Sequence, residues 1–132
     1  MRQRKYHNKK ITAYGITFDS TKECRRYERL LAAQTDGKIE CLEVHPTFTL
    51  IPNQYKNAEV KLKTKTKVVK RLIERSVTYT ADFSYFKNNA LVVEDVKISK
   101  KLIPQEFILK RKMMFFFYGI QLKLVFEPQD EI

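Results

Sequence analysis

The chain has 132 residues, 43% of them hydrophobic and 31% charged, which is the composition of one soluble globular domain with a single core. Its 26 Lys and Arg residues against 15 Asp and Glu give a formal net charge of +11, which favours a polyanionic partner, first of all nucleic acid. No apolar run approaches the ~20 residues of a membrane helix, so we expect no membrane association. Cys24 and Cys41 lack metal-site spacing and indicate a reducing cytoplasm.

The first segment, residues 1–10, is a basic arm with little to bury. A helix is predicted next, because Ser20 to Glu23 match the S-x-x-E capping box and apolar residues then recur at helical spacing as far as Gly37. Glu23 has two interpretations that do not exclude each other. It caps the helix, which spacing alone slightly favours, or it lies at the edge of the inward-facing stripe.

A strand is predicted over residues 39–50, with an interruption at Pro46, since proline belongs at an edge or a bend. His45 has no Cys or His partner at ligand spacing. We therefore expect it to be structural, or to contact substrate, rather than to bind metal.

Residues 54–75 form a basic insertion in which lysines alternate, so an extended strand would present a row of them on one face. The plainer interpretation is a flexible polar segment. We favour a β-ribbon or loop that contacts nucleic acid, because so many cations with so few acids can follow successive phosphates. The cations expected to make these contacts are Lys61, Lys63, Lys65, Lys67, Lys70 and Arg71.

A hairpin is predicted over residues 77–97. Apolar and polar residues alternate from Val77 to Phe86, which is the period of a half-buried strand. Lys87-Asn88-Asn89 supplies turn residues, since Asn tolerates positive φ, and a second β-branched run follows.

Acidic and basic residues converge on this hairpin. Asp95 and Lys97 are two residues apart and therefore share a strand face. Asp82 would sit beside them if the two strands pair. Two carboxylates and an ammonium at neighbouring positions suit a divalent metal, which takes hard oxygen ligands, with the lysine near an activated water or a phosphate.

Behind the hairpin, Lys100 and Lys101 are further candidates for contact with nucleic acid. A helix is predicted from Pro104 to Tyr118, with Gly119 as its stop. It is apolar almost all round. We expect it in the core by default, and the alternative is that one side forms a homodimer interface.

The ordered set of Glu23 on a helix, then Asp82, then Asp95-Val96-Lys97 on a hairpin resembles the PD-(D/E)XK nuclease superfamily. The phrases YGITFDSTKE, HPTFTL, YTADFSYF, LVVEDVK and EFILKRK resemble a family of small phage proteins within it. Ala81 stands where the superfamily's name has proline, and the second acid is Asp rather than Glu.

This resemblance implies a single α/β domain over residues 1–132, with a mixed central sheet flanked by helices and a restriction-endonuclease-like core. It implies Mg²⁺ or Mn²⁺ held by Asp82, Asp95, Glu23 and the Val96 carbonyl, with Lys97 orienting water or stabilising charge at phosphorus. The implied activity is hydrolysis of DNA, of branched or recombination type, by a phage- or prophage-encoded endonuclease in the bacterial cytoplasm. The alternative is a nucleic-acid-binding module with an inactive nuclease fold, against which the intact acidic set argues.

Overall fold

The structure is a computed structural model that describes residues 9–132. The predicted basic arm, residues 1–10, therefore lies outside the described residues except for Lys9 and Lys10. The chain divides into two compact units. The first comprises the described residues up to Pro46 together with Ala81–Ile132, and the second comprises Thr47–Thr80.

The described residues form ten strands and two helices. In chain order these are β1 (Ile11–Ala13), β2 (Ile16–Phe18), α1 (Thr21–Thr35), β3 (Glu40–Val44), β4 (Thr47–Ile51), β5 (Gln54–Lys61), β6 (Thr66–Glu74), β7 (Val77–Thr80), β8 (Phe83–Lys87), β9 (Ala90–Val96), α2 (Gln105–Tyr118) and β10 (Lys123–Val125).

The first unit is organised around a four-stranded sheet in the order β10-β9-β8-β3. Strand β10 runs parallel to β9, whereas the β9–β8 and β8–β3 pairs are antiparallel. The sheet is therefore mixed, and the predicted mixed α/β class is confirmed. Helix α1 packs with it around a core whose buried members are Phe18, Cys24, Leu30, Ala33, Ile39, Phe83 and Tyr85.

The β8–β9 hairpin turns where the sequence predicts it. Asn88 and Asn89 both have positive φ, 51° and 63°, which is the backbone that a two-residue hairpin loop of type I′ requires. Asparagine adopts this conformation more readily than most residues. The turn fixes the register, which places Phe83 opposite Glu94 and Ser84 opposite Val93.

The predicted continuous strand over residues 77–86 is wrong, because the chain breaks at Ala81-Asp82. Strand β7 pairs with β4 in the second unit, and β8 pairs with β9 in the first. The break faces the predicted interruption at Pro46, which is confirmed. The Ala81 N–H donates to the Pro46 carbonyl at 3.0 Å, and Pro46 has no N–H with which to continue the ladder.

Helix α2 begins after Pro104 and ends at Gly119, whose φ of 68° suits a left-handed cap. The prediction that this helix lies in the core is wrong. Phe107 and Met114 are buried, whereas four consecutive aromatic side chains stand in solvent, and the most exposed is Phe116 at 81%. An apolar helix surface of this kind typically marks an interface, so the homodimer stays a prediction. The exposed aromatics are Phe115, Phe116, Phe117 and Tyr118.

The second unit contains the antiparallel pairs β4–β7 and β5–β6. We call residues 54–74, which hold β5, its turn and β6, the basic ribbon. The expected single row of lysines is wrong, because the chain reverses after Lys61, with the Leu62 N–H donating to the Lys65 carbonyl at 2.8 Å. Lys63 and Lys65 therefore lie in the turn. Lys61 pairs with Thr66, so Lys67, next along the strand, faces the opposite way.

No helix in the described part of the chain is long and apolar enough to cross a membrane.

Candidate functional site

A polar cleft of about 480 Å³ opens in the first unit. Its lining contains every residue of the predicted catalytic and metal set, Glu23, Asp82, Asp95, Val96 and Lys97. Asp19, Ser20, Lys22 and Ile98 complete the lining. The lining residues farthest apart in the chain, Asp19 and Ile98, are separated by 79 positions. The cleft therefore joins the start of α1 to the end of the β8–β9 hairpin.

The end of β9 places Asp95 and Lys97 on one side of the sheet, as their spacing predicts. The Lys97 Nζ lies 3.3 Å from the Asp95 Oδ1, and both side chains are largely buried. The ammonium also stands 3.7 Å from the centroid of the Phe107 ring, a cation–π contact with α2. The backbone N–H of Lys97 donates to the Val125 carbonyl, which ties this position to β10. Lys97 is therefore held in place from three sides.

Asp82 reaches the cleft from the bend between β7 and β8. Its backbone N–H donates to the Glu94 carbonyl at 3.2 Å, and its Oδ2 accepts the Val96 N–H at 2.7 Å. Burial raises the pKa of the Asp82 carboxyl to about 9, with the negative charge and hydrogen bond of Asp95 adding to the effect. At neutral pH the Asp82 carboxyl therefore keeps a proton and hydrogen-bonds to Asp95, unless a cation takes the place of that proton.

Glu23 stands in the first turn of α1 and is 3% exposed. Burial raises the pKa of its carboxyl, an effect that the neighbouring His45 opposes. The predicted cap is confirmed in part. The Ser20 Oγ accepts the Glu23 N–H at 3.2 Å, but the Glu23 carboxylate accepts the Asp19 N–H instead of returning to Ser20. The residue thus both caps the helix and lines the cleft.

Sequence reasoning missed three residues near Glu23. The His45 Nε2 lies 2.6 Å from the Glu23 Oε1, a contact that the expectation of a structural or substrate-contacting His45 did not locate. His45 adopts a φ of 54°, and its N–H donates to the Asp82 carbonyl at 2.9 Å. Ligand atoms of Asp19, Glu23 and His45 lie within 4.8 Å of one another. Lys22, the third missed residue, contributes a second ammonium to the lining.

The donor chemistry of the cleft fits a divalent cation such as Mg²⁺ or Mn²⁺. Carboxylate oxygens are the hard ligands these ions take. Asp82 and Asp95 are near enough to share a proton, and Glu23 raises the pKa of Asp82 further through its own charge. Replacing that proton by a doubly charged ion would relieve this repulsion. Asp82, Asp95 and Glu23 are therefore the residues that could hold the ion, and Val96 lines the cleft beside them.

A second set of buried charges lies on the other side of β9. Arg26 and Glu94 are fully buried and form a two-point ion pair, with Nε to Oε1 at 2.8 Å and Nη2 to Oε2 at 2.7 Å. The Tyr85 hydroxyl donates to the same carboxylate, and burial raises the pKa of that phenol. The remaining guanidinium hydrogens go to carbonyls of Pro128, Asp130 and Glu131. Glu94 is structural, and the two-residue period of the strand puts it on the face opposite Asp95.

The structure does not place the predicted nucleic-acid-binding cations in this cleft. Lys100 and Lys101 are exposed, and Lys101 lines a separate shallow pocket before α2. The six predicted ribbon cations, Lys61, Lys63, Lys65, Lys67, Lys70 and Arg71, are all exposed in the second unit.

Fold and cleft together define a small mixed α/β protein with an acidic, lysine-containing cleft at the end of a β-hairpin. A family model described as "Protein of unknown function (DUF1064)" matches residues 3–127, and the chain therefore belongs to that family. No curated protein and no solved structure matches the chain.

Proposed function

We propose that this protein is a Mg²⁺- or Mn²⁺-dependent DNA endonuclease of the PD-(D/E)XK type, with the core of that superfamily. The observation that carries the proposal is the convergence of Asp82, Asp95 and Lys97 in one cleft beside Glu23. Acids buried side by side with fewer cations than carboxyls beside them are costly, so such an arrangement is typical of functional sites.

Each residue of the cleft has a separate role in the proposed reaction. A bound divalent ion would polarise a phosphoryl oxygen and supply positive charge for the attack of water on phosphorus. Asp82 and Asp95 would hold the ion, with Glu23 as the further carboxylate, and the Val96 N–H keeps the Asp82 carboxyl in position. Lys97, fixed by Asp95 and Phe107, provides a cation for the charge that builds up on the phosphate oxygens.

DNA is the proposed polymer because the chain carries a net charge of +11 and exposes uncompensated cations along the basic ribbon. Branched or recombination-type phage DNA, in the cytoplasm of a bacterial host, is the proposed setting, and it rests on the resemblance to small phage nucleases.

The test is incubation with a labelled four-way junction, a flap and a linear duplex in Mg²⁺, Mn²⁺ or EDTA. We expect cleavage of at least one substrate with either ion and none in EDTA. Asp82→Asn and Asp95→Asn should lower the rate by about 10³-fold or more while leaving DNA binding in place, since each removes a charged ligand at nearly constant volume. Binding without cleavage by the wild type on all three substrates would favour the inactive binding module instead.

A further inference from the structure

We propose that the basic ribbon enters the major groove of duplex DNA and contacts both flanking phosphate backbones, one with each of its faces. The inference rests on the proposed function only in taking DNA as the ligand, and it does not require cleavage. The ribbon would therefore recognise double-stranded DNA and not unpaired strands.

The register divides the ribbon cations between two faces. Residues that pair directly across antiparallel strands lie on the same face, and neighbours along a strand lie on opposite faces. Lys56 pairs with Arg71, and Val60 pairs with Lys67. These three cations share one face, which also carries Ala58 opposite Val69. Lys56 is a cation that sequence reasoning did not single out.

The other face carries cations of its own. Lys70 pairs with Asn57, and Lys61 pairs with Thr66. Glu59, opposite Val68, is the acid on this face. Lys63 and Lys65 stand in the turn at the tip. Positive charge therefore surrounds the ribbon on both faces and at its end, instead of forming the single row that a flat surface would match.

Among the described residues, these cations have no ion-pair partner. All of them are exposed, and within residues 9–132 no carboxylate forms an ion pair with any of them. Lys56 and Arg71 stand directly opposite each other, and like charges at such positions destabilise an isolated sheet. An anion close to both would remove that cost. The pair therefore points to a polyanionic ligand on this face.

The dimensions of the ribbon suit a groove. The major groove of B-DNA, about 12 Å wide, admits a two-stranded ribbon, and a ribbon that enters on its edge turns its two faces toward the two phosphate backbones. The minor groove, about 6 Å wide, does not leave room for side chains on both faces. A ribbon inside the major groove has a phosphate backbone on either side, so lysines on both faces find partners at once.

The experiment measures affinity for a duplex in EDTA over a range of salt concentrations. One variant replaces Lys56, Lys67 and Arg71 by Gln, and a second replaces Lys61 and Lys70 by Gln. The matched control is Lys38→Gln, which removes an exposed cation of the first unit. Thermal melting of each variant checks that the fold is kept.

Both face variants should weaken binding and reduce the slope of log affinity against log salt by about 0.9 per lost phosphate contact, whereas the control should bind as the wild type. A duplex with glucosylated cytosines, whose sugars fill the major groove, should bind at least about tenfold more weakly than the unmodified duplex.

Loss confined to one face variant would show that the ribbon lies flat on the backbone. Unchanged slopes in both, or equal affinity for the glucosylated duplex, would also overturn the proposal. Failure of the nuclease proposal would look different, since the wild type would then bind DNA and cleave none.

Discussion

The two sides of strand β9 both carry buried carboxyls, but only on one side are the carboxyls matched by cations. On one side, the Glu94 carboxylate meets the Arg26 guanidinium at two points and accepts the Tyr85 hydroxyl as well. On the other side, the neighbouring Asp95 lies against Asp82, and the carboxyls outnumber the nearby ammonium of Lys97.

The difference separates charge that holds the fold from charge that is available to a ligand. Around Glu94, every donor of Arg26 has an acceptor, and the C-terminal carbonyls complete the set. In the cleft, Asp82 can lie beside Asp95 at neutral pH because it keeps its proton, since burial and the charge of Asp95 raise the pKa of Asp82 to about 9. The closed network leaves no carboxylate for a further cation to bind, whereas the carboxyls that line the cleft outnumber its ammonium groups.

The largest expected effect comes from opening the closed network. Arg26→Met should lower the free energy of unfolding by about 3–5 kcal/mol, because the buried Glu94 carboxylate loses its two-point guanidinium partner and keeps only the Lys123 ammonium 3.8 Å away. Arg25→Met is the matched control, since Arg25 is exposed and its pair with Glu28 is a surface one. It should change stability by less than about 0.5 kcal/mol. Urea unfolding of both variants measures the contrast, and equal losses would show that the Arg26 pair is no more important than a surface contact.

A smaller effect of opposite sign is expected in the cleft. Asp82→Asn should raise the free energy of unfolding in EDTA, on the order of 1–3 kcal/mol at pH 8, since an amide donates to Asp95 without having to bind a proton. The control is Glu43→Gln, which changes an exposed acid on β3.

The sign of the pH dependence follows from the direction of the pKa shift. The folded-state pKa of Asp82 lies above its unfolded value of about 3.9. The contribution of Asp82 to the free energy of unfolding is therefore complete below about pH 3.9 and is lost as the pH rises toward about 9. The advantage of Asp82→Asn over the wild type should therefore be small near pH 4 and grow up to pH 9. An advantage that stays constant over this range would contradict the shared proton.

Local patterns predicted much of the site. The two-residue period of a strand puts Asp95 and Lys97 on one face and Glu94 on the other. Asn88-Asn89 predicts the turn that sets the register. The S-x-x-E spacing located the start of α1 and hence Glu23. Each of these signals is carried by residues a few positions apart, which is why sequence alone was sufficient.

Contacts between distant segments could not be predicted in this way. The charge of Arg26 favours the polar side of its helix, but the residue is buried because Glu94 and the C-terminal carbonyls together accept all of its hydrogen bonds. His45 joins the site through a left-handed backbone and a bond to Glu23, neither of which leaves a local pattern. The break at Ala81-Asp82 is also invisible, because apolar alternation continues through it.

A calorimetric titration of the protein with Mn²⁺ in the absence of DNA tests the central claim that the cleft carboxyls bind a divalent cation. The wild type should bind Mn²⁺ saturably. Asp82→Asn and Asp95→Asn should each weaken this binding at least about tenfold, since affinity follows the charge of the ligand set. Glu43→Gln should bind as the wild type does. A wild type that takes up no Mn²⁺ at millimolar concentration, or an Asp95→Asn variant that binds the ion equally well, would contradict the account.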